Sequence, residues 1–157
     1  MFSLVIRNLI FTILQPGIVA GLVPFLILKK LEQPTNGECN TIVELLGLLS
    51  FGLGLLLFLS CVYCFIRYGK GTLSPTDPTK ALVVTGVYRY TRNPMYIAIL
   101  LILLGESMYF HSFILGSYSL LVGLLFHLFI IFVEEKRLRK EFGPHYSVYC
   151  QQVKRWI

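Results

Sequence analysis

A chain of 157 residues, 55% hydrophobic and only 14% charged, is one domain with more apolar surface than a soluble core of that size can hide. Its mean hydropathy of +0.71 points to an integral membrane protein and excludes a soluble enzyme. The net charge of +6 does not signal nucleic acid, because 11 of the 14 basic residues lie in two segments beside apolar spans. There they set topology and meet anionic headgroups, and they leave no basic face of the kind counterion release needs.

The pattern predicts an all-α integral membrane fold: about four transmembrane helices, then a C-terminal interfacial amphipathic helix. Span one covers residues 8–28, enough for a hydrocarbon core of roughly 30 Å. It is too long and apolar for a cleaved signal peptide. Pro16 and Pro24 interrupt it, so a kink is expected, with the freed carbonyls satisfied by neighbouring helices. Lys29 and Lys30 close it, and Glu32 and Glu38 lie in the polar loop that follows.

Span two, residues 42–66, carries Gly47, Ser50 and Gly54. Ser50 and Gly54 form a small-xxx-small pair that admits another helix closely, either within the chain or in a homodimer. Cys61 and Cys64 make a CxxC inside this apolar span with no second ligand pair. They read as small buried hydrophobes, and no metal site is expected. Cys39 and Cys150 imply no disulfide.

Residues 67–93 form a polar segment with Arg67, Lys70, Lys80, Arg89 and Arg92 against one acid, Asp77. Its prolines and lack of helical period read as a loop over the membrane face. Span three covers 95–110, with Glu106 near its far end; His111 and Ser112 make a turn; span four covers 113–133. In the tail, Leu138, Phe142, Tyr146, Tyr149, Val153 and Trp156 recur every three or four residues, one face of a helix. Gly143 and Pro144 should break it. The two basic segments place both termini and the 67–93 loop on the cytoplasmic side.

Two polar clusters should then meet at one membrane depth, where such groups are costly and usually mark a site. The first surrounds Pro94, a suitable first residue for a helix, with Tyr88, Arg89, Tyr90, Arg92 and Tyr96. Free amides at that helix start suit a carboxylate, and aromatic faces suit a flat ring or a cation. The second is Glu134 and Glu135, read as the C-terminus of span four, where the helix dipole disfavours acids and a cationic group would hold them. His127 lies mid-span on the side of Gly116, Ser119 and Gly123; it suits either a hydrogen bond to another helix or a place in the site.

GVYRYTRNPMY at 86–96, followed by EEKRLRKEFGPHYSVYCQQVKRW from Glu134, resembles the membrane methyltransferases typified by isoprenylcysteine carboxyl methyltransferase and phosphatidylethanolamine methyltransferase. The resemblance covers residues 69–157. It implies S-adenosyl-L-methionine as cofactor and a motif of the RHPxY type, matched by Arg92, Asn93, Pro94 and Tyr96, with Met95 between. It also implies an upstream strip at Lys80, Ala81, Leu82 and Val83, the tyrosine Tyr88, and the acid Glu134 with Glu135 beside it. Asn93 stands where the family usually has histidine. Ile130 stands where prenylcysteine enzymes carry an arginine, which argues against a prenylcysteine carboxylate substrate. The expected activity is methyl transfer to an amphiphilic acceptor delivered by the membrane, a lipophilic small molecule or a lipidated substrate: a carboxylate, thiol or phospholipid amine. Arg89 and Arg92 are candidates to orient it, or else contact lipid phosphate. The rival expectations are a nicotinamide-dependent membrane reductase of related architecture and a non-catalytic lipid-binding protein.

Overall fold

The computed structural model describes residues 16–31, 41–68 and 82–156. Every regular element among them is helical. A π turn, Ile18–Leu22, leads into helix α1 (Val23–Leu31). Pro24 explains it. Its ring clashes with a straight α-helix and it has no amide hydrogen, and the chain relieves the clash by winding wider, so the Val23 amide donates to the Ile18 carbonyl. The Val19 carbonyl thereby loses its α-helical donor, and its π-helical donor would be Pro24. The Tyr118 hydroxyl supplies the hydrogen bond instead, at 3.0 Å. The expected kink is thus a π turn, and its freed carbonyl is met by a neighbouring helix.

Helix α2 (Thr41–Tyr68) and helix α3 (Pro94–Tyr109) pack with backbones nearly touching. A Cβ added at Gly105 would lie 2.6 Å from the Gly47 carbonyl oxygen, and one at Gly54 would lie 2.8 Å from that of Ala98. Ser50 Oγ donates to the Leu101 carbonyl at 2.9 Å. The small residues of span two therefore serve packing within the chain. Cys61 and Cys64 are buried on the same helix, against Val83 and Tyr88.

A tight turn follows α3. His111 adopts φ 49°, and Ser112 caps the next helix, its Oγ accepting from the Leu115 amide at 3.1 Å. Helix α4 (Phe113–Phe129) continues through a π turn, Ile130–Glu134, into helix α5 (Glu135–Phe142). Together they form one rod, Phe113–Phe142. This corrects the expectation for Glu134 and Glu135: they do not end a helix, and no C-terminal dipole opposes them. Gly143, at φ 51° and ψ −124°, stops α5, and Pro144 opens helix α6 (Pro144–Gln152). The tail is thus two helices with a break at the expected glycine. Tyr146 and Tyr149 are buried on it, and Val153 and Trp156 lie beyond it.

Among the described residues two helices, Thr41–Tyr68 and Phe113–Phe142, are long and apolar enough to cross a membrane; Pro94–Tyr109 is apolar but shorter. The first part of the expected span 8–28 lies outside the described residues. So do residues 69–81 of the 67–93 loop, including Lys80 and Ala81.

Candidate functional site

Pro94 begins α3 and is fully buried. The turn before it is shaped by Thr91, whose Oγ1 accepts from the Asn93 amide at 3.2 Å and donates to the Arg155 carbonyl at 3.2 Å. Asn93 occupies the N-cap position, yet its side chain caps nothing. Its Nδ2 donates to the Arg155 carbonyl at 2.9 Å, and the Arg92 amide donates to the Lys154 carbonyl at 3.0 Å. The chain's last described residues thus clasp the turn that starts α3.

The acidic pair splits into two environments. Glu134 Oε2 accepts from the Tyr96 hydroxyl at 2.6 Å, and the Tyr96 ring meets Phe126 edge-on with centroids 4.8 Å apart. Glu135 is buried and takes a two-pronged hydrogen bond from Arg155, Nε to Oε1 at 2.7 Å and Nη2 to Oε2 at 3.2 Å. Arg92 Nη1 adds a third contact at 3.3 Å and Arg139 a weaker one at 3.7 Å. Burial alone would raise the Glu135 carboxyl, but the hydrogen bond and charge of Arg155, then the charges of Arg92 and Arg139, hold it below the usual carboxylate range.

The π turn explains this division. In an unbroken α-helix, residues eight apart lie about 80° apart. Here Phe126 and Glu134 both face Tyr96, while His127 and Glu135 both face the tail. One wide turn brings each pair into line. His127 Nδ1 accepts from the Trp156 indole N–H at 3.2 Å, and the two rings stack with centroids 6.1 Å apart. His127 therefore bonds the tail; it lies on the Glu135 side of the rod, not on that of Glu134.

Tyr88 lies in a 3₁₀ turn, Gly86–Arg89. Its ring is buried edge-on against Phe65, centroids 5.4 Å apart, among Cys61, Cys64 and Val83. Burial pushes its hydroxyl well above the ordinary tyrosine value. Its carbonyl accepts from the Tyr149 hydroxyl at 2.6 Å. Met95 packs on this cluster, and Leu82 is half-buried. Arg89 is exposed, as is Tyr90 at 81%.

The structure therefore brings Arg92, Asn93, Tyr96, Glu134 and Glu135 into one region of polar contacts, with Pro94 buried among them and Tyr88 and Met95 in the apolar cluster beside it. Arg89 stands at its outer edge. Sequence reasoning missed Thr91, Cys150, Arg155 and Trp156. Cys150 Sγ receives a hydrogen bond from Arg92 Nη1 at 2.8 Å. The basic and aromatic end of the tail was the available signal, but it suggested a membrane surface instead of a partner for the turn.

Among the described residues one buried side-chain donor is unused: Arg92 Nε has no hydrogen-bond partner there. The first amides of α3 also lack intrahelical acceptors, as at any helix start. Both suit an anionic group, while Glu134 suits an ammonium or a hydroxyl. The model of the phospholipid methyltransferase family matches residues 42–145. Among curated proteins and solved structures, none matches the chain.

Proposed function

This chain belongs to the phospholipid methyltransferase family, and from that premise we propose that it moves a methyl group from S-adenosyl-L-methionine to an amphiphilic acceptor delivered by the membrane. The observation that carries the reading is the meeting of the first turn of α3 with Glu134, through the Tyr96 hydroxyl at 2.6 Å. S-adenosyl-L-methionine, when bound, supplies an electrophilic methyl group on a sulfonium. The residues present fit such a ligand. The unpaired Arg92 Nε and the α3 amides suit its carboxylate, Glu134 its ammonium or ribose hydroxyls, and the rings of Tyr96 and Phe126 its flat base. The family resemblance adds Lys80, Ala81, Leu82, Val83, Tyr88, Asn93, Pro94 and Met95 to the residues that would bind it.

In this reading the protein chiefly binds and aligns. Orientation of donor and acceptor supplies roughly 7–11 kcal/mol of such a barrier. Glu135, satisfied by three arginines, anchors the tail beside the ligand. Arg92 Nη1 is committed to Glu135 and Cys150 and its Nε is given to the cofactor carboxylate, so the exposed Arg89 is the residue left to orient an anionic acceptor or a lipid phosphate. Ile130 is buried, 1% exposed, at the place of the prenylcysteine enzymes' arginine. That favours a thiol or a phospholipid amine over a prenylcysteine carboxylate. We place the site at the cytoplasmic face of a four-span protein, on the strength of the basic segments beside the spans.

Titration of the purified protein with S-adenosylhomocysteine, the demethylated product, tests the reading. At about 100 times the dissociation constant the stabilisation should reach about 2.7 kcal/mol, and Glu134→Gln should weaken binding more than Glu135→Gln does. A folded protein that ignores this ligand, or that responds only to a reduced nicotinamide dinucleotide, overturns it. Labelled methyl donor offered with a phospholipid amine, a hydrophobic thiol and a farnesylated cysteine in parallel then identifies the acceptor.

A further inference from the structure

Residues 153–156 leave α6 as an irregular segment, with Val153 extended at φ −125° and ψ 132°. The hydrogen bonds of Lys154, Arg155 and Trp156 all end on the walls of the site. The Lys154 carbonyl holds the Arg92 amide. The Arg155 carbonyl holds the Thr91 hydroxyl and the Asn93 side chain, while the Arg155 guanidinium holds Glu135. The Trp156 indole holds His127, two turns before Glu135 on the rod. One residue, Arg155, therefore grips both walls: the turn that starts α3 with its backbone, and the π-turn end of the rod with its side chain.

This arrangement is more than a packed chain end. Asn93 and Thr91 are 8% exposed and spend their polar groups on a single carbonyl of the strap. Arg155 is about one-third exposed, so it fills no core. The strap contributes fixed distances between groups that come from segments far apart in the chain.

We propose that residues 153–156 are a positioning element of the methyl-transfer site, with Arg155 and Trp156 setting the separation between the Arg92 turn and Glu134. The proposal rests on the methyltransferase reading above. Neither residue is assigned a contact with the ligand; each acts through the walls it joins. A site whose two walls drift apart by about an ångström loses on the order of tenfold or more in productive binding.

Trp156 is the only tryptophan of the chain, so intrinsic fluorescence reports the strap directly. Wild-type protein in detergent is titrated with S-adenosylhomocysteine and read both by calorimetry and by tryptophan emission. Arg155→Ala, Arg155→Lys and the exposed α5 substitution Lys140→Ala are titrated in the same way. We expect the emission to change saturably, with the midpoint that calorimetry gives. Arg155→Ala should raise the dissociation constant about tenfold while helical content stays unchanged. Arg155→Lys should recover part of the loss, and Lys140→Ala should match wild type. If Arg155→Ala fails to fold, Trp156→Phe, which keeps a ring against His127 but loses the indole N–H, takes its place in the calorimetric arm. Wild-type affinity in the folded Arg155 or Trp156 variant, with only thermal stability lowered, overturns the strap's role and leaves the methyltransferase reading standing. Emission that ignores bound ligand does the same. No calorimetric binding to wild type overturns both.

Discussion

Two junctions hold this molecule together, and they use opposite means. Where α2 meets α3, side chains are missing: Gly47, Gly54 and Gly105 let the backbones close to contact. Where the tail meets the start of α3 and the rod, polar groups are abundant, with Arg92, Thr91, Asn93, Arg155 and Trp156 all bonded across the junction. Lipid tails are as apolar as leucine, so helices within a bilayer gain little by hiding apolar surface and associate by close packing. At the polar edge, every buried donor needs an acceptor. The first junction should therefore fail when atoms are added, and the second when a partner is removed.

The largest effect expected is at the first junction. Gly105→Val puts side-chain atoms where the Gly47 carbonyl and the Phe51 backbone stand, 2.6 Å from the new Cβ. Neither can move without parting the helices, so a loss of about 3 kcal/mol is expected, measured by thermal unfolding in detergent. A variant as stable as wild type would show that the helices do not touch there. Next comes Glu135→Gln, which leaves Arg92 and Arg155 without their carboxylate. Breaking a buried pair costs about 3–5 kcal/mol; the exposure of Arg155 to water brings the expectation down to about 2 kcal/mol. The same group fixes a pH dependence. Its folded value is depressed, so its contribution is complete above the ordinary carboxylate range and is lost as pH falls through that lower value. Acid unfolding curves of wild type and Glu135→Gln should converge at low pH, and curves that stay parallel would remove Glu135 from the account.

Ser50→Ala probes a polar bond within the glycine junction, to the Leu101 carbonyl. Hydrogen bonds between helices in membranes average about 0.6 kcal/mol, and the loss should be of that size. A loss several times larger would mean that the contrast between the junctions is too sharply drawn. Arg137→Ala removes an exposed pair with Glu141 at 3.8 Å and should cost only about 0.3 kcal/mol, which sets the floor of the scale.

Much of the first junction was legible in the sequence. Apolar runs gave the cores of α2, α3 and α4, Pro94 gave a helix start, and Ser50 with Gly54 marked close packing. These are local signals with a local cause. The second junction was legible only through its motif residues. Nothing in IIFVE announces a π turn, because no proline or glycine marks it. Without that turn, a helical wheel assigns Glu134 to the His127 side and separates Glu135 from it. Nor could spacing show that Asn93 serves a carbonyl 62 residues away. Such pairings belong to the folded chain and leave no periodic trace. Pro24 is the intermediate case: the disturbance was foreseen, but its form depended on Tyr118 being near enough to satisfy Val19.

The length of α3 has a consequence of its own. Its 16 residues rise about 24 Å, against roughly 42 Å for the 28 residues of α2. In the proposed membrane arrangement the two are bound together by their glycines, so they cannot adjust independently. The Thr41 end of α2 is level with the end of α3, Glu44 meeting His111 at 3.4 Å, and its extra length runs past Pro94, where Cys61 and Cys64 pack on Val83 and Tyr88. On the side of His111 and Ser112, lipid must thin to meet the short helix. Deformation of this kind costs fractions of a kcal/mol per ångström and biases a protein among membranes of different thickness. The same glycines that lock the scaffold thus give it a preference for thin bilayers. Reconstitution in lipids of graded acyl length should show that preference as an optimum in thermal stability.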